Sequence, residues 1–157
     1  MSDLLVRLYD LPEFASEARV AAAGIEVRRA LPPERDLVLA WIGRHFYRPW
    51  VAEAALAMSG HPVTCWIAVR GERLLGFACH DATAKGFFGP TGVDEAARGQ
   101  GIGEALLSRT LRGMREAGYA YAVIGAPGPM KFYQRRLDAM EIPGSQPGLY
   151  RGMLREP

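Results

Sequence analysis

Lysine is nearly missing from this 157-residue chain: Lys85 and Lys131 stand against seventeen arginines. With Ala, Gly and Pro abundant, that imbalance reads as composition bias, so arginine content alone carries no functional meaning. Cysteine is as scarce. Cys65 and Cys79 lie fourteen positions apart, which fits neither a CxxC redox pair nor a zinc spacing, and two cysteines cannot staple a secreted mini-protein. Both are expected as buried free thiols, and no metal is expected. No apolar run reaches the roughly 18 to 20 residues that cross a bilayer, and Met1-Ser2-Asp3 opens no signal peptide. The expectation is a cytoplasmic protein without a membrane partner. Nineteen basic and seventeen acidic side chains leave a net charge of +2. That is too little for a footprint along nucleic acid, so any anion site must be local.

What is present is a globular composition, 49% apolar and 23% charged, of a length that suits one domain. Leu4 to Tyr9 reads as a short strand and Pro12 to Ala23 as a helix closed by Gly24. Ile25 to Leu31 alternates as a half-buried strand stopped by Pro32-Pro33. Helices follow over about Glu34 to Phe46 and Pro49 to Met58. Thr64 to Val69 and Leu74 to His80 form a hairpin around Gly71-Glu72. Next come a strand from Phe87 to Val93, a helix from Gly101 to Ala117 and a strand from Tyr119 to Ile124. Met130 to Leu137 reads as a helix and Leu149 to Leu154 as a closing strand. The order is mixed α/β, an antiparallel meander followed by a strand, helix, strand crossover that should be right-handed and parallel.

The informative stretch is Val93-Asp94-Glu95-Ala96-Ala97-Arg98-Gly99-Gln100-Gly101-Ile102-Gly103-Glu104, where a strand feeds a glycine-rich loop that opens a helix. Glycines let backbone approach a ligand closely, the first-turn N–H groups have no helical acceptor, and the helix dipole adds partial positive charge. A phosphate suits such a cradle. The dinucleotide fingerprint G-x-G-x-x-G fails, because Glu104 stands where its third glycine belongs, and no Gly-Lys-Ser/Thr closes a P-loop. Arg98-Gly99-Gln100-Gly101-Ile102-Gly103 instead matches R/Q-x-x-G-x-G/A, and here the chain resembles the GCN5-related N-acetyltransferase superfamily.

The resemblance covers about residues 25 to 154, with 1 to 24 as an N-terminal extension of a single domain. It implies a central mixed sheet, an antiparallel meander plus a splayed parallel strand pair, flanked by helices. It implies acetyl-CoA as cosubstrate, its pyrophosphate on the loop formed by Arg98, Gly99, Gln100, Gly101, Ile102 and Gly103. Lys131-Phe132-Tyr133 looks like the family's F-Y motif, in which the tyrosine protonates the departing CoA thiolate. A phenol of pKa about 10 can protonate a thiolate near 8.5 to 9. Leu137-Asp138-Ala139 departs from the family pattern, since many members carry a glycine there. Pro90, between Gly89 and Gly92, cannot donate to a ladder and belongs at an edge or bulge. By resemblance this strand splays from Tyr119 to Ile124, and the N–H of Gly92 or Val93 polarises the thioester carbonyl.

The amine must lose a proton before it attacks, so a carboxylate, a histidine or a water chain is needed. His80 and Asp81, ending the third strand of the meander, are candidates whose side chains alternation sends to opposite faces; Glu53 is another and His45 a weaker one. Acceptor contacts are expected around Phe46, Tyr47, Trp50, Trp66, Phe87 and Phe88. The arginine-rich helices do not suggest an acidic pocket for polycations. The run from Asp81 to Val93 is similar to small bacterial members, some related to amino-sugar acetyltransferases. The reading is an N-acetyltransferase that moves acetyl directly from acetyl-CoA to a primary amine of a small molecule. A non-catalytic acyl-CoA sensor, a peptide or protein N-acetyltransferase and a homodimer stay open.

Overall fold

A computed structural model describes residues 1–157. Its elements run β1 (Leu4–Arg7), α1 (Ser16–Ala22), β2 (Glu26–Arg29), α2 (Arg35–His45), α3 (Pro49–Ala57), β3 (Cys65–Arg70), β4 (Arg73–His80), β5 (Phe87–Val93), α4 (Ile102–Glu116), β6 (Tyr121–Ile124), α5 (Met130–Leu137) and β7 (Met140–Glu141). Local chemistry explains most boundaries. Pro49 opens α3 at a position where the missing N–H costs nothing. The β3–β4 turn contains Gly71, whose φ of 59° places it in the left-handed region.

The strands form one mixed sheet in the order β2-β3-β4-β5-β6-β1-β7. The meander β2 to β5 is antiparallel, and β5 runs parallel to β6. Apolar side chains fill both sides. On one side Leu4 and Val6 of β1 cluster with Leu106, Leu111 and Met114 of α4; on the other Ile67 and Phe77 of the sheet cluster with Val38 and Ile42 of α2 and Ala54 of α3. Burying each of the larger ones is worth roughly 1.5 to 3 kcal/mol relative to exposure. The cysteines are buried free thiols facing each other across β3 and β4.

Two expectations meet a different arrangement. The first strand is no appendage: β1 sits between β6 and β7, with Leu4 and Val6 fully buried. Leu149 to Leu154 is not a strand. β1 already occupies the edge of β6, the two-residue β7 pairs with β1, and the chain then passes Gly144, Gly148 and Gly152, all at positive φ. Repeated left-handed positions turn the backbone and prevent an extended ladder, so Leu149 and Leu154 stay exposed.

Candidate active site

The opening in the sheet begins with a bulge. On β4 Ala78 pairs with Thr91 and His80 with Phe88, so two steps on β4 oppose three on β5. The extra length falls at Gly89-Pro90, where Gly89 has a φ of 115° that an L side chain rarely adopts. Beyond the bulge the parallel partner is gone, because β5 pairs with β6 only at Phe87 and Phe88. Asp94 N–H donates to Leu75 O at 2.8 Å, and antiparallel bonding alternates along a strand. The Gly92 N–H therefore turns toward β4 and that of Val93 toward the gap. Of the two donors the sequence left open, only Val93 faces the opening.

The first cavity, about 370 Å³, lies where β5 ends and α4 begins, lined by Val93, Arg98, Gly99, Gly101, Ile102 and Gly103 among others. Gly101 caps α4 with a φ of 86°, which turns the chain into the helix. The first helical bond runs from Ala105 N–H to Gly101 O at 3.0 Å, and no N–H of residues 99 to 104 has a protein acceptor. A Cβ on Gly99 would meet nothing within 4 Å, and one on Gly103 only Val93 Cγ2 at 3.7 Å. Free donors, low steric cover and a positive helix end fit a pyrophosphate. Gln100 takes another part: its side chain donates to Ala97 O at 3.1 Å and accepts from Arg70 at 3.1 Å, which braces the loop.

The segment before residue 25 supports this cradle. Arg19 donates to Gly99 O at 3.0 Å, and a Cβ on Gly101 would lie 3.2 Å from Ser16 Cβ. Glu17 on α1 joins Ser108 and Arg112 of α4. No local sequence signal announces these contacts, because they join residues about 80 to 95 positions apart.

The second cavity, about 810 Å³, opens on the other side of the gap between α3, β5, the 124–129 segment and the C-terminal residues. Phe88, Thr91, Pro129 and Tyr133 line both cavities. Tyr133 is thus part of the wall the two share. It is 8% exposed, and burial pushes its phenol above the ordinary value of 10.0. Its helix is tied to the cradle by Arg136, which meets Glu104 of α4 at 2.9 Å.

The aromatic residues divide. Tyr47, Trp50, Phe87 and Phe88 line the second cavity. Phe46 packs under β5, where a Cβ on Gly92 would come within 2.6 Å of its ring. Trp66 lies on the α4 side of the sheet, against Gly113 and under the guanidinium groups of Arg29 and Arg109.

His80 and Asp81 line neither cavity. His80 shares a strand face with Gly76, whose missing Cβ would meet Leu106 of α4, so it belongs to the α4 side. Asp81 has a φ of 54°, which breaks the alternation and brings its carboxylate back to His80 Nδ1 at 3.1 Å. That carboxylate also accepts from Gly86 N–H at 2.8 Å and Tyr119 OH at 2.9 Å, closing the β4–β5 turn. Burial holds the His80 imidazole below its usual pKa. His45 bonds through Nδ1 to Trp41 O at 2.9 Å and is equally outside both cavities. Among the carboxylates considered as bases, Glu53 alone lines the second cavity.

Comparison with known proteins agrees with this architecture. Residues 61–136 match the family described as "Acetyltransferase (GNAT) domain". No curated protein sequence matches significantly. Among solved structures, a GCN5-related glucosamine N-acetyltransferase region of a fungal multi-domain β-N-acetylglucosaminidase superposes with a TM-score of 0.74 at 17% identity, over 90% of this chain and 19% of that one. A GCN5-related N-acetyltransferase from Sphaerobacter thermophilus gives 0.64 at 22%, over 90% and 48%. A GNAT-family acetyltransferase from Brucella melitensis, solved with acetyl-CoA, gives 0.54 at 21%, over 75% and 88%. The chain thus spans half or less of the first two. Residues 61–136 thus match a GNAT acetyltransferase domain, and the chain as a whole shares the fold of GCN5-related N-acetyltransferases.

Proposed function

We propose that the protein is an acetyl-CoA-dependent N-acetyltransferase that carries acetyl directly to a primary amine of a small molecule. The observation that carries this reading is the shared wall: one cavity ends in a phosphate cradle, the other is walled by aromatic rings, and they meet at Tyr133. Bound acetyl-CoA supplies an acetyl thioester, which an amine converts to an acetamide with release of the CoA thiol. Each group of the chain then has one task. The N–H groups of residues 99 to 104 hold phosphate, with Arg98 adding a solvent-screened positive charge. The Val93 N–H donates to the carbonyl oxygen as negative charge develops there. Tyr133 gives its phenolic proton to the departing sulfur and regains one from solvent. The amine arrives as an ammonium, loses one proton before attack and a second as the amide forms. With its pKa above the ordinary value of 10.0, the phenol is protonated at neutral pH, the form the acid role requires.

No enzyme thiol is needed. Cys65 and Cys79 are both fully buried, and burial raises the Cys79 pKa, which suppresses the thiolate a covalent route would use. The reading is tested by incubating the chain with acetyl-CoA and a panel of small primary amines and following free thiol. Amine-dependent release is expected. Tight acetyl-CoA binding without release for any amine would instead mark an acyl-CoA sensor.

A further inference from the structure

The second cavity holds one carboxylate, and three distant parts of the chain converge on it. Glu53 Oε1, on α3, accepts from Thr83 Oγ1 at 2.8 Å. It also accepts from the Tyr150 hydroxyl, which lies 3.1 Å from the same Thr83 oxygen. Tyr150 belongs to the irregular C-terminal segment, and Met153 and Arg155 of that segment line the cavity as well. Tyr47, Trp50 and Phe87 line the same cavity. A carboxylate fixed by two hydroxyls among aromatic faces attracts a single cation through charge-assisted hydrogen bonds and ring electrostatics. The Arg155 guanidinium opposes a second positive charge in the same space.

Taking this cavity as the acceptor side of the function proposed above, we infer that the acceptor is a monocationic primary amine on an apolar or aromatic body, its ammonium received by Glu53. Thr83 and Tyr150 are positioning residues that aim this carboxylate. Burial and the contact with Glu53 push the Tyr150 phenol up to about 12, so it remains a donor throughout the physiological range. The C-terminal segment thereby completes the acceptor site.

The test uses the full chain with CoA present and reads amine binding directly, by fluorescence of Trp50, which lines the cavity while Trp41 and Trp66 are buried in the core. The probes are benzylamine, phenethylamine and tryptamine, with phenethyl alcohol as the uncharged isostere of phenethylamine and spermidine as the polycation. Tryptamine, itself fluorescent, is read by calorimetry. At least one aromatic monoamine should bind at least about tenfold more tightly than either phenethyl alcohol or spermidine. Glu53→Gln should weaken its binding roughly ten- to a hundredfold, the range for losing a hydrogen bond to a charged group, with acetyl-CoA affinity and Tm unchanged. Tyr150→Phe should raise KM for the amine severalfold at nearly constant kcat, as loss of a positioning contact requires. Spermidine binding more tightly, Glu53→Gln binding the amine normally, or no monoamine binding at all would each overturn the inference. Thiol release is followed in parallel. Amine binding that depends on Glu53 without release would sink the transferase reading alone, and release that ignores Glu53 would sink the anchor alone.

Discussion

The two cavities are built by opposite strategies. The cradle is one continuous run, residues 98 to 104, in which the bare N–H groups of residues 99 to 104 follow from glycine placement and a helix start. The second cavity is assembled from α3, Thr83, β5, the 124–129 segment and the C-terminal residues, none of which forms a site alone. Even its far wall is pinned from a distance, since Asp3 accepts from Ala126 N–H at 3.1 Å while its own N–H donates to Ser145 Oγ at 2.8 Å. A backbone site tolerates sequence change at every side chain except those that fill it. A side-chain site can be retuned by one substitution at a time, so the two halves should respond differently to mutation.

The largest contrast is expected from Gly103→Asp. The position has an ordinary φ, and a Cβ there meets only Val93 Cγ2 at an ordinary contact distance of 3.7 Å, so the fold should survive, yet the substitution puts a carboxylate among the cradle donors. Calorimetry should show acetyl-CoA affinity falling by at least about a hundredfold, as expected for a charged group placed against phosphate. Next comes Tyr133→Phe, which should lower turnover roughly ten- to a thousandfold with acetyl-CoA affinity kept, the range for removing a general acid that water partly replaces. In the parent, the alkaline limb assigned to Tyr133 should lie above pH 10.0, because the phenol is active while protonated and burial raises its pKa. A limb at lower pH would reassign it.

A smaller effect is expected where the halves join. In Gly92→Ala the new Cβ meets the Phe46 ring at 2.6 Å, so the ring must shift. Thermal or urea unfolding should register about 1 to 3 kcal/mol of lost stability, the usual cost of overpacking. Smallest is the pH response of His80. Its folded pKa is depressed, so the unfolded chain binds the proton more readily. The associated stability is present above the unfolded value of 6.5 and declines as pH falls through that value toward the lower folded one. His80→Asn should flatten this decline. If it also moved the pH dependence of kcat/KM, His80 would belong to the proton path after all.

These contrasts explain what could be read in advance. The cradle and the bulge at Gly89-Pro90 were legible because each is written in adjacent residues: glycines before an amphipathic helix, a proline inside a strand. The helix from Met130 to Leu137 that carries Tyr133 was legible in its own residues. The misplaced closing strand had apolar residues of the right kind, but strand pairing is decided by which edge is already taken, and β1 from the far end of the chain takes it. The opposite faces expected for the His80 and Asp81 side chains fail for a related reason. Alternation assumes extended backbone, and Asp81 has left it. The partnership of Glu53 with Tyr150, 97 positions away, has no local signature at all.

A crystal structure of the protein with acetyl-CoA tests directly whether the two cavities form one path through Tyr133. The pyrophosphate is expected on the N–H groups of residues 99 to 104 and the thioester sulfur within about 3.5 Å of the Tyr133 hydroxyl. The acetyl group is expected to face the second cavity past Phe88 and Thr91. A pyrophosphate seated elsewhere, or a thioester turned away from Tyr133, would contradict that path.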